Sequence, residues 1–177
     1  DVNPVLLAEY RQRFKDAEFE MRGSGTYSDR KESSAGVTTN VGDEARGHLF
    51  GHGLWDMNEN WRSGFKVEVA SDDQYLRQYD FDSDDVLENE VYVERFSKRN
   101  YAVGRMMAFQ DVRTSERQVE QPGVLPEVVA SFYSDPNALL GGRWNGELSA
   151  LGLYRDGNGQ DIARSSAELG WQRRYIT

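Results

Sequence analysis

Most of this chain alternates between apolar and polar positions with a period of two. In Pro4–Phe14, Leu6, Ala8, Tyr10 and Phe14 fall on one side of an extended backbone, and Leu7, Glu9, Arg11 and Arg13 on the other. Successive strand side chains point to opposite faces, so this period predicts a strand. Phe19–Tyr27 continues it, with Phe19, Met21, Gly23, Gly25 and Tyr27 opposite Glu20, Arg22, Ser24 and Thr26. The clearest case follows Asn60: Trp61, Ser63, Phe65, Val67 and Val69 against Arg62, Gly64, Lys66 and Glu68. Further strands are predicted at Glu44–Met57, Glu88–Ser97, Tyr101–Val112, Val124–Ser134, Arg143–Tyr154 and Ile162–Tyr175. The chain therefore reads as all-β: an antiparallel up-and-down meander of about nine strands, a curled arc with no convincing helix.

The connections sort by length. KDA, NEN, KRN and DPNALLG are short, whereas Ser28–Asp43, Ser71–Leu87, Arg113–Gly123 and Arg155–Asp161 are mostly longer. Ser28–Asp43, rich in Ser, Thr, Gly and charge, reads as a loop. Short turns on one rim and long loops on the other describe an outer-membrane barrel, and strands of about ten residues tilted ~40° cross a band ~25 Å tall. The same alternation would also suit a soluble sandwich with one wet side. Two segments resist assignment: in Tyr101–Val112, Arg105 sits among Tyr101, Val103, Met107 and Phe109, and in Glu88–Ser97, Val91 and Val93 compete with Tyr92 and Phe96. Pro126 calls for a strand start or a bulge.

Composition narrows the choice. The 177 residues carry a net charge of −9, so the basic footprint of a nucleic-acid binder is missing. Mean hydropathy is −0.75, and no run of ~18 apolar residues offers a transmembrane helix. That leaves barrels open, because lumen-facing residues dilute the average. There are no cysteines, which removes disulfides, thiolate metal sites and Cys nucleophiles together. DVNPVLLAEY and the final WQRRYIT both read as cuts through structure, so residues 1–177 are expected to be one partial barrel domain.

Candidate chemistry is sparse. His48 and His52 share a strand face, but four residues along a strand is ~13 Å, too far for one ion. DFDSDDVLE resembles the start of a calcium loop, yet Asp85 replaces the glycine and Val91 the final glutamate; a solvated acidic loop is the expectation. Glu9, Glu68, Glu94 and Glu147 alternate with Arg11, Arg62, Lys66 and Arg95 as cross-strand ion pairs on a wet face would. No catalytic residue, metal site or cofactor is assigned. Trp55, Trp61, Trp144 and Trp171 all lie toward the short-turn rim, where an aromatic girdle would sit.

NENWRSGFKVEVASDDQYLRQYDFDSDDVLENEVYVERFSKRNYAVGRMMAFQDVR resembles the barrel domain of the LptD family, the lipopolysaccharide-assembly proteins once called organic solvent tolerance proteins. PVLLAEYRQRF, VLPEVVASFYSDPNALLGGRWNGELSALGLYRD and GWQRRYIT resemble it in the same order. The resemblance implies a Gram-negative outer-membrane location and a role in placing lipopolysaccharide in the outer leaflet, with no enzymatic step. It also implies partners: an LptE-like plug lipoprotein in the lumen, periplasmic bridge proteins delivering lipopolysaccharide to an N-terminal domain absent here, and membrane lipid. On that basis Trp61, Phe65, Val67 and Val69 are expected to face lipid. Glu9, Arg11, Arg13, Arg62, Lys66 and Glu68 are expected to line the lumen and meet the plug. The alternative is a complete small barrel or sandwich, ligand-binding or porin-like; a carbohydrate-active β enzyme lacks a locatable carboxylate pair.

Overall fold

The computed structural model describes residues 3–34, 37–72, 74–113, 121–155 and 159–174. Nine strands form a single sheet in sequence order: β1 (Leu6–Arg13), β2 (Ala17–Ser34), β3 (Val37–Asn58), β4 (Trp61–Ala70), β5 (Val86–Ser97), β6 (Asn100–Asp111), β7 (Gly123–Tyr133), β8 (Arg143–Tyr154) and β9 (Ile162–Gln172). Every neighbouring pair is antiparallel. The sheet does not close, and β1 and β9 are its edges among the described residues. It is an open, up-and-down arc.

Two sequence expectations need correction. The Ser/Thr/Gly-rich stretch is not a loop: β2 and β3 run on past their neighbours as a hairpin, paired from Ser28↔Glu44 to Ser34↔Val37. Backbone pairing extends the hairpin, with side-chain contacts from Asn40 to Asp29 at 3.3 Å and from Arg30 to Glu44 at 3.5 Å. The acidic β4–β5 connection contains a short helix, α1 (Tyr75–Gln78), where none was expected. Leu139–Gly141 forms a 3₁₀ turn. At Pro126 the β7–β8 register shifts between Val124 and Glu127, the irregularity that a missing N–H imposes.

Side chains shape two local features of the sheet. On one face Phe65 lies over Gly53 and Phe132 over Gly146, each ring packed on its cross-strand partner so closely that any Cβ there would collide. The β4–β5 ladder stops at Lys66↔Glu90. Beyond it, two carboxamides replace the missing strand. Asn89 accepts from the Glu68 N–H and donates to the Glu68 carbonyl, both at 3.0 Å. Gln110 does the same for Ala70, at 3.1 and 2.7 Å. A buried unpaired peptide group costs about as much as a lost hydrogen bond, so these amides let β4 and β5 part without that loss.

Candidate functional site: two faces and an inward strap

Register sorts the side chains into two faces. One row across the sheet reads Phe19, Gly53, Phe65, Val91, Met106. Another reads Ala102, Ala130, Leu148, Ala167. Their neighbours on the opposite face read Arg11, Glu20, His52, Lys66, Glu90 and Tyr92, Arg105, Glu127. The apolar and charged faces persist across the arc. This register also assigns the two strands that periodicity left open. Val91, Val93, Ala102, Gly104 and Met106 share the apolar face, and Tyr92, Glu94, Val103 and Arg105 the charged one.

All six charged candidates fall on the charged face: Glu9, Arg11, Arg13, Arg62, Lys66 and Glu68. They form part of a ladder of alternating charge. Arg11 pairs with Glu9 and, at 3.4 Å, with Glu20 across the strand. Arg62 meets Asp56 at 2.7 Å and Glu94 at 3.8 Å. Lys66 meets Glu68 at 2.9 Å and Glu88 at 3.9 Å. Arg105 continues the ladder with Glu127 and, at 3.8 Å, with Glu90. Arg13 stands opposite Glu18 in register. Arg95 does not join this face. It is the partner of Trp61 and its guanidinium lies over that indole, 5.7 Å from the ring centre. Such stacking stabilises a cation by its attraction to the ring face.

Trp61, Phe65, Val67 and Val69 share the apolar face. So do Trp55, Trp144 and Trp171, all at strand ends beside short turns. Trp144 and Trp171 face one another across β8 and β9 with ring centres 6.5 Å apart. Many apolar side chains on this face are exposed, Leu148 at 54% and Leu169 at 64% among them.

The acidic stretch expected to be solvated is largely so, with Asp80, Asp84 and Asp85 exposed, but the residues before it bury Asp72, Tyr75 and Leu76. The connection folds as a strap over the charged face, where Tyr75, Leu76, Leu87 and Val112 pack with Phe50 as the only hydrophobic core among the described residues. A clasp fastens it. Arg46 of β3 grips Asp72 through two hydrogen bonds of 2.8 and 2.7 Å, and both side chains are about 1% exposed. The same guanidinium donates to Gln78 Oε1 at 2.8 Å and to the Asp29 carbonyl at 3.2 Å. Burial alone would raise the Asp72 pKa, but the hydrogen bonds from Arg46 and Ser71 and the Arg46 charge bring it below the ordinary carboxylate value. Next to the clasp, the Ser24 hydroxyl joins His48 Nδ1 at 2.7 Å and the Tyr75 hydroxyl at 2.6 Å. His48 lies between the rings of Phe50 and Phe81, at 4.7 and 4.5 Å. His48 thus has a packing and hydrogen-bonding role that its spacing from His52 did not reveal. The available sequence signal was YL inside an otherwise polar run.

An open antiparallel meander with one apolar and one charged face is the architecture of the outer-membrane β-barrel class. The particular family follows from comparison with known proteins: the family described as LptD, LPS transport system D, matches residues 44–177. The chain belongs to the LptD family, a family of outer-membrane β-barrel proteins of lipopolysaccharide transport. The match begins at Glu44, so it does not include β1 and β2, which nonetheless continue the same sheet and the same two faces. No curated protein and no solved structure matches the chain.

Proposed function

We propose that this chain is an interior stretch of the barrel wall in a translocon that places lipopolysaccharide in the outer leaflet of the outer membrane. Its apolar face, with Trp61, Phe65, Val67 and Val69, meets lipid. Its charged face meets a hydrated lumen and, through Glu9, Arg11, Arg13, Arg62, Lys66 and Glu68, an LptE-like plug lipoprotein. Trp55, Trp61, Trp144 and Trp171 form the girdle on the periplasmic rim. Periplasmic bridge proteins deliver the cargo to another part of the same protein.

The observation carrying this reading is the segregation of faces by register from β1 to β9. In hydrocarbon every backbone polar group needs an internal partner, which a strand ladder supplies. An apolar row facing outward then needs no second layer of protein, and the exposed Leu148 and Leu169 fit that role. The wall acts by holding a boundary: a greasy exterior, a charged interior and a strap on the interior face.

The test is a charge reversal in the full-length parent co-expressed with its plug. Arg62→Glu with Lys66→Glu is expected to lower plug recovery about tenfold, 1.4 kcal/mol of docking energy, while heat-modifiable barrel insertion stays at the parental level. Recovery of the plug in parental amounts would overturn the lumen assignment.

A further inference from the structure

The β7–β8 turn is built rather than slack. Ala138 donates to the Gly142 carbonyl at 3.0 Å and Gly141 to the Ala138 carbonyl at 2.8 Å. Trp144 Nε1 reaches over the turn to the Leu139 carbonyl at 3.0 Å. The Trp171 indole lies so close over Gly142 that a Cβ there would collide, and the Arg173 guanidinium lies beside Gly141. This packing leaves Leu140 in the left-handed region at φ 67°, a conformation that L side chains avoid. Its effect is to thrust Leu139 and Leu140 outward, 78% and 67% exposed.

Scattered exposed leucines need no explanation. These two are adjacent, one of them on left-handed backbone, and they continue an apolar surface. Phe132, Leu148, Leu169, Trp144 and Trp171 share the apolar face that runs down to the turn. The surroundings are cationic. Lys98, Arg99, Arg173 and Arg174 are all exposed at this corner, with Asp135 as the nearby carboxylate. Arg99 ties the β5–β6 turn to the β7–β8 turn by donating to the Ser134 carbonyl at 3.3 Å and to Asp135 at 3.2 Å. The opposite rim is acidic, above all in Ser71–Leu87. An apolar knob framed by cations has the chemistry of a bilayer interface rich in anionic phosphate.

We infer that the β7–β8 turn is an interfacial anchor. Leu139 and Leu140 enter the headgroup–acyl boundary of the periplasm-facing leaflet, and Lys98, Arg99, Arg173 and Arg174 bind the phosphates of anionic phospholipid there. The inference rests on the wall reading above, which sets the short-turn rim at that leaflet. The anchor fixes the height of the wall in the membrane at this corner, beyond what the Trp girdle does.

The test uses the full-length parent in vesicles of phosphatidylethanolamine and phosphatidylglycerol. A nitroxide is attached at Leu140→Cys, and separately at Leu139→Cys in case the first variant fails to insert. Relaxation by oxygen, which concentrates in lipid, is compared with relaxation by a water-soluble nickel chelate. Lipid-regime accessibility at either position supports the anchor, and so does a shift toward water when phosphatidylcholine replaces phosphatidylglycerol. A label open to the chelate overturns it. A label shielded from both relaxants overturns it too, because a protein surface then covers the turn. A depth that ignores lipid charge overturns the phosphate contacts. Leu148→Cys, mid-strand on the apolar face, separates the two readings. If Leu148 meets lipid and the turn does not, only the anchor fails; if Leu148 meets water, the wall reading itself fails.

Discussion

The two ends of the arc are held together differently. At the long-loop end of β2–β6 the strap creates a conventional interior, where Tyr75 and Leu87 are fully buried and Arg46 and Asp72 pair out of water. β8 and β9 contribute no side chain to the hydrophobic core among the described residues; β8 is mostly half-buried and β9 mostly exposed. There the backbone ladder carries the structure, with small additions such as the Ser149–Ser166 hydroxyl contact at 2.8 Å. The difference teaches that this wall needs no core of its own. Among the described residues a hydrophobic core forms only where the strap folds onto the sheet.

The largest expected effect tests the clasp. Asp72→Asn leaves Arg46 buried without its counter-charge, which costs about 3–5 kcal/mol for a buried pair losing one partner. Hydrogen exchange at Leu76–Tyr79 in the full-length parent should rise accordingly, while exchange in β8 and β9 stays unchanged. The pH dependence follows from the same group. Because the folded-state pKa of Asp72 is depressed, its contribution is present above the ordinary value of 3.8 and is lost as pH falls through the lower folded value. Strap protection should therefore fall in that acid window, and Asp72→Asn should abolish the dependence.

A slightly smaller effect probes the opposite end. Leu148→Arg on the apolar face should destabilise the inserted barrel by about 2–4 kcal/mol near the bilayer midplane, whereas Ser149→Arg one residue on should change little. Reversible denaturant titration in vesicles reads both; equal costs would end the two-faced account of β8. Tyr75→Phe should cost about 1 kcal/mol of strap docking through its lost hydrogen bond to Ser24. At the bottom of the scale, Ser166→Ala should alter barrel stability by less than ~0.5 kcal/mol, because its partner is a second exposed hydroxyl.

Much of the sheet was legible in the alternation. Leu6–Arg13 and Trp61–Ala70 each show one apolar and one polar row, and Arg62, Lys66 and Glu68 share the polar row of the second. The β2–β3 extension was not legible, since a hairpin reaching beyond its neighbours needs no apolar face and so carries no periodic signal. Nor was the strap. Asp72 is buried only because Arg46 meets it from 26 residues away in sequence, and a local window full of aspartates reads as wet. Arg95 misled for a related reason: a strand-end cation can turn to a neighbouring indole, so charge alone does not fix its face. In β5 and β6, apolar residues stand on both rows, and only the register with β4 and β7 resolves them.

The carboxamides of Asn89 and Gln110 have a geometric consequence. Each lends β4 one donor and one acceptor where the β4–β5 ladder has ended. β4 and β5 can therefore separate beyond Lys66↔Glu90 without leaving the Glu68 and Ala70 peptide groups unpaired. Asn89→Asp would keep the acceptor but delete the donor, leaving the Glu68 carbonyl without that partner at the point where the two strands part.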